Sequence, residues 1–296
     1  MRSRIMSTFV AVAAAGVTAT TLGLAVTGAA SAAVATKAQP QTIGPAIGST
    51  SSAGYEASGR NFRYITSTIT VPDTSFLTGL FPSEYIQLSN GSLTQPTGGG
   101  DTYTRAGIES CVVARSFGDT CTTGTWVAFV EAFNNSLSGP FFSHFLNLAG
   151  VNQGDGVNFS IYFDQAGNEL HYVITPPTTS GTPQFYKTRA FGPLYDHAAA
   201  LDDFTDSTGT PIALPPFVRS FRINQFLQGA LTTYSGARGS FVGPWTTSPV
   251  IATSNGLLPP SGTTRVSPNA LFGDTLSANG AVRASDAFGV WTRTDS

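Results

Sequence analysis

Apolar and polar residues alternate with a period of two along most of this chain, the spacing of strands with one buried face. Phe62-Arg63-Tyr64-Ile65-Thr66-Ser67-Thr68-Ile69-Thr70-Val71 alternates and stops at Pro72, which has no N–H to continue a ladder. Tyr85-Ile86-Gln87-Leu88 reads as a short strand ending at the turn dipeptide Asn90-Gly91. Thr102 to Val113 and Thr125 to Phe133 are expected to pair. Val157 to Phe163 and Glu169 to Ile174, joined by Asp164-Gln165-Ala166-Gly167-Asn168, form the clearest hairpin. Further strands are expected at Gln184–Phe191, Phe217–Thr233, Val250–Thr253 and Ala287–Thr292. Nothing repeats at 3.6 residues over a long capped stretch, and a single helical turn is expected near Phe141–Leu146. Many short strands punctuated by Gly, Pro and Asn predict an all-β chain. The expected architecture is a two-sheet antiparallel β-sandwich of the jelly-roll, concanavalin-like kind.

The N-terminal residues break the pattern. Arg2 and Arg4 precede an apolar stretch from Phe9 to Val26, and Ala30-Ser31-Ala32 supplies small residues for cleavage. Residues 1–32 therefore read as a signal peptide and 33–51, rich in Ala, Thr, Gln, Pro, Gly and Ser, as a disordered leader. Residues 52–296 read as a single β-sandwich domain. The expected protein is secreted, extracellular and monomeric, with no membrane attachment after signal cleavage.

Composition sharpens this picture in two ways. Charged residues make up 11% of the chain, against about 25% in typical domains, and hydroxyl residues and glycine take their place. The formal net charge is −2, and loss of Arg2 and Arg4 with the signal makes it more acidic. Such a balance offers no case for nucleic acid or an anionic membrane. Cys111 and Cys121 are the two cysteines. In an exported chain they predict a disulfide, and Gly118-Asp119 between them reads as the turn of the hairpin it would staple.

Candidate chemistry is sparse. His144, His171 and His197 stand far apart, without metal-ligand spacing, so no metal and no cofactor are expected. There is no Gly-x-Ser-x-Gly elbow, and Asp196-His197, as strand neighbours, are expected to face opposite ways. Gly98-Gly99-Gly100 reads as a flexible hairpin tip. Strand carboxylates are rarer and more informative. Glu109 and Glu131 lie in the two strands joined through the cysteines, and Glu131 shares its parity with Phe129 and Phe133. A carboxylate on an aromatic face has its ionised form desolvated, which suits acid–base work or a ligand cleft. A bulge would instead turn it to the other face.

Several segments resemble, in order, the motifs of the glutamic peptidases (eqolisins). Ser52-Ala53-Gly54-Tyr55 followed by Phe62 to Pro72 resembles the family's opening Gly-Tyr segment and its strand ending in Thr-Val-Pro. Tyr85 to Gly91 resembles its Trp-Val-Gly-Ile-Asp-Gly strand. Tyr103 to Cys111 resembles its Leu-Gln-x-Gly-Val-(Asp/Glu)-x-Cys strand, and Trp126 to Asn134 its Ala-Trp-Tyr-Glu-Trp-Tyr-Pro strand. Ser267 to Trp291 is similar to the closing strand of actinobacterial relatives. The resemblance implies an exported, acid-active endopeptidase ancestry on a two-sheet sandwich. A Glu would act there as base and then acid, with a Gln amide orienting the water and the oxyanion. On these motifs the glutamine position falls on Arg105 and the glutamate position on Ala198, anchored through Asp203-Phe204. The supporting Asp becomes Ser89 or Asn90, and Glu131 alone keeps its family identity.

The expected function is thus a sandwich resembling these peptidases with the Gln/Glu dyad lost, binding extended peptide or polymer in a cleft. Gln87, Arg105, Glu109 and Glu131, flanked by Tyr85 and Trp126, form the candidate site. One alternative is an active acid peptidase with a shifted dyad, using Asp202 or Glu131 as base and Gln87 as amide. Another is a carbohydrate-binding module taking a polysaccharide.

Overall fold

A computed structural model describes residues 42–72, 81–91, 102–116, 121, 125–134, 140–148, 150–177, 181–190, 194–206, 221–241, 243–253, 264–268 and 286–294. The predicted signal peptide, residues 33–41 of the leader, Gly98 to Gly100 and the Gly118-Asp119 turn lie outside them. In chain order the strands are β1 (Thr42–Ile43), β2 (Ile47–Ser49), β3 (Ser52–Ser58), β4 (Phe62–Thr70), β5 (Phe81–Ser89) and β6 (Thr102–Ser110). A short helix, α1 (Cys111–Ser116), precedes β7 (Trp126–Asn134), β8 (Pro140–Asn147), β9 (Gly156–Asp164), β10 (Glu169–Thr175) and β11 (Gln184–Arg189). The remainder are β12 (His197–Thr205), β13 (Phe221–Thr233), β14 (Arg238–Gly239), β15 (Thr246–Thr253), β16 (Thr264–Pro268) and β17 (Asp286–Thr294).

These strands form the expected two-sheet antiparallel sandwich. The first sheet runs β15-β3-β12-β5-β6-β7-β8. The second runs β11-β10-β9-β4-β13-β17. β16 pairs with both β15 and β17 and so joins the sheets along one side. All described residues fall within one compact unit, Lys37–Ser296.

Alternation explains the second sheet directly. β9 turns Val157, Phe159, Ile161 and Phe163 inward, and β10 adds Leu170, Tyr172 and Ile174. Their hairpin turns through Asn168 at φ 50°, a left-handed position asparagine tolerates. The first sheet meets these large side chains with small ones. Ala53, Ala57, Ala106, Ala128, Ala132, Ala198 and Ala200 all face the core. Bulky rings against alanines let the layers approach closely, and each buried Phe or Ile side chain stabilises by about 1.5–3 kcal/mol.

Four expectations are corrected. Phe141–Leu146 is strand β8, an extended segment paired to β7, and not a helical turn. The strand expected to reach Val113 stops at Ser110, and Cys111 opens a helix. The Cys111–Cys121 disulfide forms, with Cα atoms 5.7 Å apart, but it staples a helix-containing connection rather than a plain hairpin. Within the expected leader, β1 and β2 run parallel to β15 and make ladder pairs with it.

Candidate functional site

The outer face of the first sheet carries the candidate residues. Cross-strand register aligns Glu56, Ala199, Gln87, Arg105 and Glu131 side by side on β3, β12, β5, β6 and β7. The next row holds Gly54, Leu201, Tyr85, Gly107 and Phe129. Partners in register point to the same face, so these rows form one surface. Glu56, Tyr85, Gln87, Phe129, Glu131 and Leu201 are nonetheless all buried.

Arg105 is the centre of this surface. Its Nε donates to Glu131 Oε2 at 2.7 Å. The guanidinium lies 5.3 Å from the Tyr85 ring centroid, 5.4 Å from Phe129 and 5.3 Å from Phe133. Tyr103 stacks on Phe133 at 4.4 Å and extends the aromatic wall. Burial works against the charge, but Glu131 together with Tyr103, Tyr85 and Asp203 outweighs it and holds the guanidinium above its ordinary pKa. Gly107 makes room for the packing, because a Cβ there would sit 1.9 Å from Glu84 O and 2.6 Å from Tyr85 Cβ.

Two carboxylate networks flank Arg105. Ser52 Oγ donates to Asp203 Oδ1 at 2.5 Å and Tyr85 Oη to Asp203 Oδ2 at 2.7 Å. Burial raises the Asp203 carboxyl above the usual range, and these two donors offset part of that rise. Burial, then the Asp203 charge, pushes the Tyr85 phenol well up. At the other end of β12, His197 Nδ1 lies 2.7 Å from Asp196 Oδ1, and its Nε2 lies 3.7 Å from Glu56 Oε1. Burial opposes ionisation of Asp196, but the Gly91 N–H at 2.8 Å and His197 hold its carboxyl below the ordinary value. A hollow of about 600 Å³ opens beside them, lined by Arg60, Asn61, Asp196, His197, Tyr234 and Ser235 among others.

The structure thus brings together Tyr85, Gln87, Arg105, Glu109 and Glu131, with Glu109 one row beyond Gly107 and 3.5 Å from Ser83 Oγ. Others fall elsewhere. Trp126 belongs to the inner face and packs on the core, so it does not flank the site. Ala198 also faces the core, and Ala199 is the β12 residue opposite Gln87. Asp202 faces inward beside Glu84, which removes it as a base in this cleft, and Asp203 is the outward carboxyl. Ser89 keeps its hydroxyl on Gly91 O at 3.0 Å. Asp196 and His197 do touch, because Asp196 precedes β12 and is not held to the pleat. Glu56 and Asp203 were missed, although both share the parity of glycine or leucine neighbours in their own strands.

No protein-family model and no curated protein matches this sequence. Among solved structures, the chain is similar to SCP-B, a peptidase of the eqolisin family, in complex with the tripeptide Ala-Ile-His. The two share 12% identity at a TM-score of 0.40, over 67% of this chain and 96% of that one.

Proposed function

We propose that this chain is a binding protein whose outer first-sheet face receives an extended peptide, or a polymer of like geometry, and does not cleave it. Gln87 carries the reading. It is 2% exposed, and its Nε2 has no hydrogen-bond partner. A buried amide donor left unmade costs about 1–3 kcal/mol, which an incoming carbonyl oxygen would remove. An extended peptide offers such carbonyls at regular intervals, and alternate side chains would meet the Tyr85, Phe129 and Phe133 rings. Opposite Gln87 on β12 stands Ala199, which can neither activate water nor give up a proton. Arg105 is engaged with Glu131, so this pair supplies a charged floor to the row. With residues 1–32 read as an export signal, this binding would take place outside the cell.

The test is titration of the protein with a library of unstructured peptides, alongside digestion of a denatured substrate at pH 2–5 in pepstatin. Saturable binding without cleavage is the expected result. One observation favours a second reading, an acid peptidase: Asp203, its carboxyl pushed up by burial, lies 2.7 Å from Tyr85 Oη. Cleavage abolished by Asp203→Asn would establish that reading and overturn the first.

A further inference from the structure

A second surface lies on the outer face of the other sheet. Register places Arg238, Thr232, Tyr64, Tyr162, His171 and Lys187 in one row, each on the next strand from β14 to β11. With strands about 4.8 Å apart, the row runs for about 24 Å. At its β14 end a hollow of about 360 Å³ opens between Arg63, Arg238, Tyr64 and Tyr162, and among the described residues no Asp or Glu lines it. Arg63 Nε is shielded from water and has no hydrogen-bond partner. Tyr162 is exposed and tilts against His171, with ring centroids 6.0 Å apart. At the far end Glu169 lies 3.2 Å from Lys187 Nζ and 3.4 Å from His171 Nε2, so among the described residues of the row the positive charge without an acidic neighbour is concentrated at the hollow.

We propose that this face binds an anionic polysaccharide of the uronic-acid class, its chain lying across the strands. Three features fit one another. Pyranose rings repeat at nearly the strand spacing, so successive sugars meet successive strands. Flat aromatic faces stack on sugar rings, and two arginines with no carboxylate between them among the described residues pair with uronate groups. The neighbouring positions are polar: Ser160 Oγ bonds Thr66 Oγ1 at 2.8 Å and Asn158 Nδ2 bonds Thr68 Oγ1 at 3.1 Å, a surface suited to hydroxyl-rich ligands. A nucleic acid would need a broader basic field than this mildly acidic chain provides. The assignment is independent of the peptide-binding reading, which concerns the opposite sheet.

The experiment is calorimetric titration of the full chain with oligogalacturonate, with its fully methyl-esterified form, and with polyglutamate. Binding of the first should weaken about tenfold or more for the ester, which lacks charge, and for polyglutamate, which lacks rings. Arg238→Glu and Tyr162→Ala should each weaken it about tenfold, while Gln87→Met leaves it unchanged. No binding of oligogalacturonate overturns the proposal. So does equal binding of either control polymer, or indifference to both surface substitutions.

Discussion

Gln87 connects stability and function at a single atom. Because Nε2 is buried without a partner, Gln87→Met keeps the shape and removes the unmade donor. We expect Gln87→Met to raise the unfolding free energy by about 1 kcal/mol while weakening peptide affinity, a sign reversal that a packing role alone would not give. Denaturant unfolding and peptide titration of the same variant check it. Arg105 behaves in the opposite sense. Arg105→Ala strands a nearly buried Glu131 carboxylate and should cost about 2–3 kcal/mol, and Arg105→Met with Glu131→Leu should recover most of it. A double-mutant cycle reads the coupling. Gly107 is the tightest contact on this face: Gly107→Ala forces its Cβ into Glu84 O and should destabilise by about 2–3 kcal/mol or more, visible as a lowered urea midpoint.

At the scale of elements, β5, β6 and β7 carry most of the site, and α1 lies in the connection between the last two. β6 and β7 pair residue for residue from Thr102↔Asn134 to Ser110↔Trp126, and this fixes Arg105 opposite Glu131. Their connection is closed by a disulfide spanning 10 residues. Reduction should lower stability by about 2.5–3 kcal/mol on the chain-entropy account, yet leave the Arg105–Glu131 pairing intact because the ladder holds it. Thermal melts with and without reductant, with peptide binding as the second readout, test both halves. The legible elements were those with one wet face. β9 and β10 alternate because their outer residues meet water. β12, His-Ala-Ala-Ala-Leu-Asp-Asp-Phe-Thr, is buried on both faces at its centre, so its sequence has no alternation to read. With a period of two, a shift of one residue exchanges the faces, so Ala198 turns to the core while Ala199 lies opposite Gln87. Of the two faces open to Glu131, it takes the one shared with Phe129 and Phe133, because β7 runs opposite β6 without a bulge. The helical turn expected at Phe141–Leu146 failed for a related reason: Phe141, Phe142, Phe145 and Leu146 supply both faces of β8, which locally imitates a helix stripe.

For the whole molecule, the sandwich encloses a titratable pair in its core, and this sets how stability follows pH. Glu84 and Asp202 are cross-strand partners on β5 and β12, both 0% exposed. Burial first, and the neighbouring Asp202 charge second, raise the Glu84 carboxyl well above its ordinary value of 4.5. Asp203 is shifted in the same direction by burial. A group whose folded pKa is raised binds its proton more tightly when folded, so its contribution is complete below the unfolded value and is lost as pH climbs through the folded one. Asp196 acts oppositely: its lowered carboxyl contributes above the unfolded value, and that contribution is lost as pH falls through the folded one. The protein should therefore be more stable in mild acid than at neutrality, with a shallower loss at the lowest pH as Asp196 protonates. Urea unfolding midpoints measured from pH 3 to pH 8 give the profile. Glu84→Gln supplies the same shape with no charge to gain, so its midpoint should stay nearly level where the parent declines. A decline of equal slope in Glu84→Gln would assign the acid preference to other groups, and Asp203→Asn is then the next variant to measure.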